Sequence, residues 1–162
     1  MTDHTDQRLG EVQFAVDPAK VPDASLAYIG RVRSPWTERS QCPRNLREAR
    51  DRGGGGRALI DPPFRPALEG LNVGDWVHLL TWLHRSRRDL ALQMPRHAER
   101  PKGTFALRSP VRPNPIGLHL VHLVEIDLSS GVLTLDAIDV LDGTPLIDLK
   151  PYLPGVDRPP ET

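Results

Sequence analysis

The sequence predicts a mainly β fold, a small closed antiparallel barrel with few short helices. Three observations carry that expectation. Residues alternate with the period of a pleated strand at 26–33, 75–84 and 116–126, and again at 132–142. Ser129-Ser130-Gly131 joins the last two segments as a hairpin. Helical periodicity is scarce, and a sheet of this kind hides its edges by closing on itself.

Each element follows from its local chemistry. Residues 1–24 are polar, contain Pro18 and Pro22, and read as a loose flexible arm ahead of a single domain at 25–158. In LAYIGRVR, Leu26, Tyr28 and Val32 alternate with Ala27, Ile29 and Arg31 until Ser34-Pro35 ends the strand. The next stretch is a basic loop with one helical turn around Leu46 to Arg50, since Pro43 and the glycines Gly53 to Gly56 bound it. Ala58 to Ile60 form a short apolar piece before the proline-stiffened connector DPPFRP. In DWVHLLTWLH, residues 75–84, both faces are apolar enough to be covered.

At 162 residues the chain has the length of one domain. Its formal charge is zero, but Arg31–Arg57 and Arg85–Arg112 are basic while the segment after Glu125 is acidic. Clustered arginine is the footprint of phosphate binding, although an arginine-rich composition alone gives the same pattern. Cys42 is the single cysteine, so an internal disulfide and a thiol-built zinc site are both out of reach. No run of about 18 apolar residues occurs, and the start lacks an apolar core behind a basic end. A soluble, cytoplasmic protein is expected.

Most routes to chemistry are weakly supported. His119 and His122 lie three apart on a strand and point to opposite faces, and His78 and His84 are about 20 Å apart at roughly 3.3 Å per residue. No metal site is expected. Cys42 has basic neighbours but no base to activate it. Ser86, Ser109 and Ser130 lack the glycine pattern of a nucleophile elbow.

Two proline-braced ribbons stand out instead. RSPVRPNPIG, residues 108–117, fixes an extended backbone through Pro110, Pro113 and Pro115 while presenting Arg108, Arg112 and Asn114. Guanidinium forks match carboxylate and phosphate, so an anion or nucleotide is the expected guest. Asp142-Gly143-Thr144-Pro145 is a strong turn, and beyond it Asp148, Lys150 and Tyr152 alternate toward one face.

These ribbons belong to a longer resemblance. YIGRVRSPW at 28–36, CPRN at 42–45, LEGL at 68–71, WLH at 82–84, FALRSPVRPNPIGLHLV at 105–121 and DVLDGTPLIDLKPYLPGVD at 139–157 resemble the TsaA-like family. Its best-understood members are tRNA methyltransferases acting on threonylcarbamoyl-adenosine in the anticodon loop. The resemblance implies a β-barrel outside the Rossmann class, binding S-adenosylmethionine and working as a homodimer. The chain agrees in having no G-x-G-x-x-G after a strand.

Carried over by position, the implied cofactor contacts are Asn45, Leu46 and Arg47, then His84, Arg85 and Ser86, then Arg108, His119, Leu141, Asp142, Gly143 and Thr144. Arg108 or Arg85 would bind the methionine carboxylate, Asp142 the ribose hydroxyls or the amino group, and the amides around Gly143 and Thr144 the adenine edge. Arg112, Asn114, Asp148, Lys150 and Tyr152 are the implied substrate contacts. The loop after the first strand departs from the family's Gln-Pro-Gly, and 85–104 is short as in compact single-domain members. The implied partner is tRNA. A small-metabolite or other-RNA methyltransferase and a non-catalytic S-adenosylmethionine-binding regulator are the competing readings.

Overall fold

The computed structural model describes residues 7–161. Among the described residues nine strands form: β1 (Val12–Gln13), β2 (Gly30–Arg33), β3 (Gly56–Ile60), β4 (Trp76–Trp82), β5 (Leu90–Gln93), β6 (Lys102–Gly103), β7 (Ile116–Asp127), β8 (Val132–Leu135) and β9 (Pro145–Pro151). Two short helices, α1 (Leu46–Asp51) and α2 (Pro154–Asp157), and three 3-10 turns complete a mainly β chain.

The chain divides into two compact units, Met1–Leu26 with Leu83–Ile116, and Ala27–Trp82 with Gly117–Thr162. In the smaller unit β1 pairs with β5, and β5 with β6. Val12 and Gln13 lie opposite Leu92 and Leu90, so the arm's described part contributes a strand. The pairing runs are two residues long, too brief to leave a periodic trace in sequence.

In the larger unit the strands follow the order β2-β3-β8-β7-β4-β9, and β9 pairs back onto β2. Alternation makes the interior. Val32, Ala58, Ile60, Val77, Leu79, Val121, Leu123, Leu133, Leu135 and Leu146 are buried, each fully buried Val, Leu or Ile side chain stabilising by about 1.5–3 kcal/mol.

Three strand expectations are corrected. The first strand begins at Gly30, not Leu26, because its partner β3 ends at Ile60 and gives way to Pro62 and Pro63, which have no N–H to pair. The strand expected over 132–142 stops at Leu135, because the backbone beyond it is taken up by a loop: Ile138 donates to Gly54 and Asp142 to Trp36. β4 buries only Val77, Leu79 and Thr81, while Trp76 on its other face is 42% exposed. Trp76 instead lies 5.1 Å from the His122 ring, with the Arg50 guanidinium 5.4 Å from its centroid.

Candidate functional site

In the larger unit the segment that follows β2 and the segment that leads into Asp142 are bound to each other. Ser34 ends β2, and its N–H donates to Asp142 Oδ1 at 3.0 Å while its hydroxyl donates to the Val140 carbonyl at 2.7 Å. The Trp36 indole N–H donates to the Ile138 carbonyl at 2.7 Å, and Cys42 Sγ reaches the Asp139 carbonyl at 3.3 Å. Residues 34–42 and 138–142 therefore form one frame.

That frame displays the turn at Leu141–Thr144. Gly143 has φ +80°, a conformation open to glycine at little cost, and a Cβ there would meet no atom within 4 Å. Its own amides are occupied: Asp142 donates to Trp36, Gly143 to Val32 and Thr144 to Leu141. The Gly143 and Thr144 amides thus have backbone partners within the unit. Thr144 is itself buried, with its hydroxyl donating to the Leu141 carbonyl. Asp142 is the group left facing outward, its side chain 26% exposed. Oδ1 receives Ser34 and stands 3.4 Å from Arg33 Nε, whereas Oδ2 takes no bond among the described residues.

Asn45 begins α1. Its side chain accepts from the Glu48 N–H at 2.9 Å, the role of an N-cap, and Glu48 reaches back to the Arg44 N–H at 3.1 Å. That amide and the Arg44 side chain hold the Glu48 carboxyl below the usual range. Leu46 is half-buried and Arg47 exposed.

His119 proves to be an interior residue. Its side chain is 6% exposed; Nδ1 lies 2.7 Å from Asp139 Oδ1 and Nε2 lies 2.9 Å from Thr81 Oγ1. With both ring nitrogens engaged, His119 positions Asp139. The Asp-His-Thr series is no hydrolytic triad, because Thr81 is fully buried and Gly117 is packed against both Thr81 Oγ1 and His119 Nε2. Burial, with the nearby Asp139 carboxylate adding to it, pushes the Cys42 thiol up to about 11, which keeps it protonated and unreactive.

The remaining implied substrate contacts of this unit lie on and just after β9. Asp148 Oδ2 pairs with Lys150 Nζ at 3.2 Å, and the Tyr152 ring meets His78 edge-on at 5.7 Å. His78 Nε2 is 3.6 Å from Asp157 Oδ1. Among the described residues no group of three His, Cys, Asp or Glu side chains could hold a metal ion.

The smaller unit holds the proline ribbon. Arg112 Nη1 donates to the Leu107 and Ser109 carbonyls, at 2.9 Å each, so this guanidinium braces its own ribbon. Arg88 donates to the Pro113 carbonyl and to Asn114 Oδ1, the latter at 3.2 Å. Gln93 bridges Thr104 and Val111 from beneath. Arg112 is half-buried and Asn114 is exposed. His84, Arg85 and Arg108 are exposed, and Ser86 is half-buried in a turn closed by its N–H to Leu83.

Sequence reasoning did not pick out Ser34, Trp36, Asp139 or Arg88. The Ser-Pro step after β2 was a legible signal for the first; Arg88 had none. Residues 31–158 match the description of a known family, the tRNA-methyltransferase O N-terminal domain. The chain belongs to this family.

Members and relatives of the tRNA-methyltransferase O family share the frame's span. A probable S-adenosyl-L-methionine-binding protein, VirR, of Rhizobium radiobacter is 39% identical over 144 residues, covering 89% of this chain and 79% of the relative. The tRNA (adenine(37)-N6)-methyltransferase of Escherichia coli is 33% identical over 139 residues, covering 82% and 59%. The crystal structure of TrmO from Pseudomonas aeruginosa superposes with a TM-score of 0.66 at 34% identity, covering 87% of this chain and 61% of that one. The chain thus spans about three-fifths of the length of these last two relatives.

Proposed function

We propose that the chain is an S-adenosylmethionine-dependent methyltransferase that N-methylates threonylcarbamoyl-adenosine in the tRNA anticodon loop. Membership of the tRNA-methyltransferase O family supports the class of reaction, and the Escherichia coli relative's name supports the acceptor. The carrying observation is the frame that fixes the Asp142 turn: hydrogen bonds from Ser34 and to Trp36 hold the carboxylate in place, its side chain 26% exposed and Oδ2 without a partner among the described residues. The ring of pairs β2-β3-β8-β7-β4-β9-β2 supports reading the larger unit as the closed barrel that carries this turn.

The groups present suit the cofactor. A carboxylate oxygen with an open acceptor site, beside a turn uncrowded at Gly143, matches a ligand bearing ribose hydroxyls and an ammonium. When bound, S-adenosylmethionine supplies an electrophilic methyl group. The chain's own contribution is position: Asp142 orients the ligand, α1 sets Asn45 and Arg47, and the rigid frame keeps the reacting atoms in line. Arg108 or Arg85 remains the proposed partner of the methionine carboxylate, and Asp148, Lys150 and Tyr152 the proposed acceptor contacts. We also assign a homodimer and a cytoplasmic setting to the protein; light scattering in solution tests the first.

The deciding experiment supplies labelled methyl donor and tRNA from cells lacking the modification. Label in the anticodon-loop fragment is the expected outcome. Calorimetric binding of the donor without label in any RNA would eliminate the RNA-methyltransferase reading and leave a small-metabolite methyltransferase or the regulator.

A further inference from the structure

We propose that the outer face of β2 and β3 is a track for the RNA backbone, built from Arg31, Arg33, Arg57 and Arg65. It rests on the reading of the substrate as RNA and extends it from the Asp142 turn, which lines one end of this face, to the arginines beside it.

The strand geometry puts these charges together. Val32 is buried, so its neighbours Arg31 and Arg33 point outward from β2 and are both exposed. The pairing register then sets Arg33 directly across from Arg57 on β3. Like charges facing one another across a strand pair destabilise it, so this placement works against the fold. Little within the unit relieves it. Among the described residues the side chains of Arg31 and Arg57 make no ion pair or hydrogen bond, and that of Arg33 has only the 3.4 Å approach to Asp142. Arg65 is held by the Ile60 and Ser129 carbonyls at 3.1 Å each, which orients its charge without neutralising it.

The surface between these side chains is a trough. Depressions of about 510 and 290 Å³ adjoin one another and share Arg33 and Leu59 as walls. Four arginines line the pair against two carboxylates, Asp61 and Asp142. Cations spread along an elongated groove suit a chain of phosphates better than a single anion, and guanidinium forks match phosphate oxygens. Pro35, Leu59 and Val132 supply apolar floor on which a ribose or base face can rest.

The test measures binding of the full chain to an anticodon stem-loop RNA across a salt series, for the wild type and for Arg31→Gln/Arg57→Gln. The double variant is expected to bind roughly tenfold or more weakly, with the slope of log affinity against log salt shallower by about 2, one per lost phosphate contact. Its affinity for S-adenosylmethionine is expected to be unchanged, and its melting temperature unchanged or raised because the facing charges are gone. A control, Arg96→Gln/Arg100→Gln, removes the same charge from elsewhere and is expected to bind RNA as the wild type does. Equal weakening in the control, or an unaltered slope in the double variant while the wild type binds RNA, overturns the track alone. A wild type that binds no RNA overturns the track together with the RNA reading.

Discussion

Single residues divide cleanly by what their polar atoms already hold. Asp142 keeps one carboxylate oxygen for a ligand, so Asp142→Asn is expected to weaken S-adenosylmethionine binding by roughly 10- to 100-fold, the value of a charge-assisted hydrogen bond, as read by calorimetry. Asn45 is different, since its side-chain oxygen caps α1. Asn45→Ala should lose about 1 kcal/mol of stability, whereas Asn45→Ser keeps the cap. Donor affinity lost in the Ser variant at unchanged stability would identify a ligand contact; retained affinity would make Asn45 a cap alone.

Cys42 sets a window in pH. The unfolded thiol ionises near 9.0 and the folded thiol near about 11, because burial opposes the thiolate. Between those values the unfolded chain has released a proton that the folded chain keeps, so stability falls as pH rises, by at most about 1.4 kcal/mol per pH unit. Urea midpoints of Cys42→Ala between pH 9 and 11 should decline less steeply than those of the wild type. Parallel declines would show that Cys42 does not cause it.

At the scale of elements, β7 is constrained from inside at its start. Gly117 lies where a methyl would strike Thr81 Oγ1 and His119 Nε2, so Gly117→Ala should cost about 1–3 kcal/mol by overpacking. The damage should reach the turn through His119 and Asp139, lowering donor affinity in protein that remains folded by circular dichroism. The proline ribbon answers to another rule. Its shape is held by Arg112, Arg88 and Gln93 bonding to carbonyls, and these are long-range facts that no local pattern of prolines encodes. The prolines announced an extended segment, yet which guanidinium serves the ribbon and which faces outward depends on where the chain returns.

For the whole molecule, alternation was the readable part. β4, β7 and the turn at Gly131 stand close to where the period and the turn residues place them, since each is long enough to repeat or carries its own φ requirement. Short strands escaped: β1, β5 and β6 span two to four residues, below the length at which a period can be seen. Their pairing is what separates Met1–Leu26 with Leu83–Ile116 from the rest, so the division into two units was equally hidden. Of the proposed site, Asp142 and Gly143 were legible as turn chemistry. The commitment of the turn's amides to Trp36 and Val32 was not, because those partners lie over a hundred positions away in sequence.

The bond between Trp36 and the Ile138 carbonyl also builds an optical probe into the protein. Trp36 is shielded from solvent and lies under the Arg52 guanidinium at 4.4 Å, a setting that gives short-wavelength emission resistant to iodide quenching. In Trp76→Phe/Trp82→Phe it becomes the sole indole fluorophore, wired to the segment that leads into Asp142. Titrating that variant with methyl donor should shift its spectrum, so occupancy can be followed by light alone, without label or turnover.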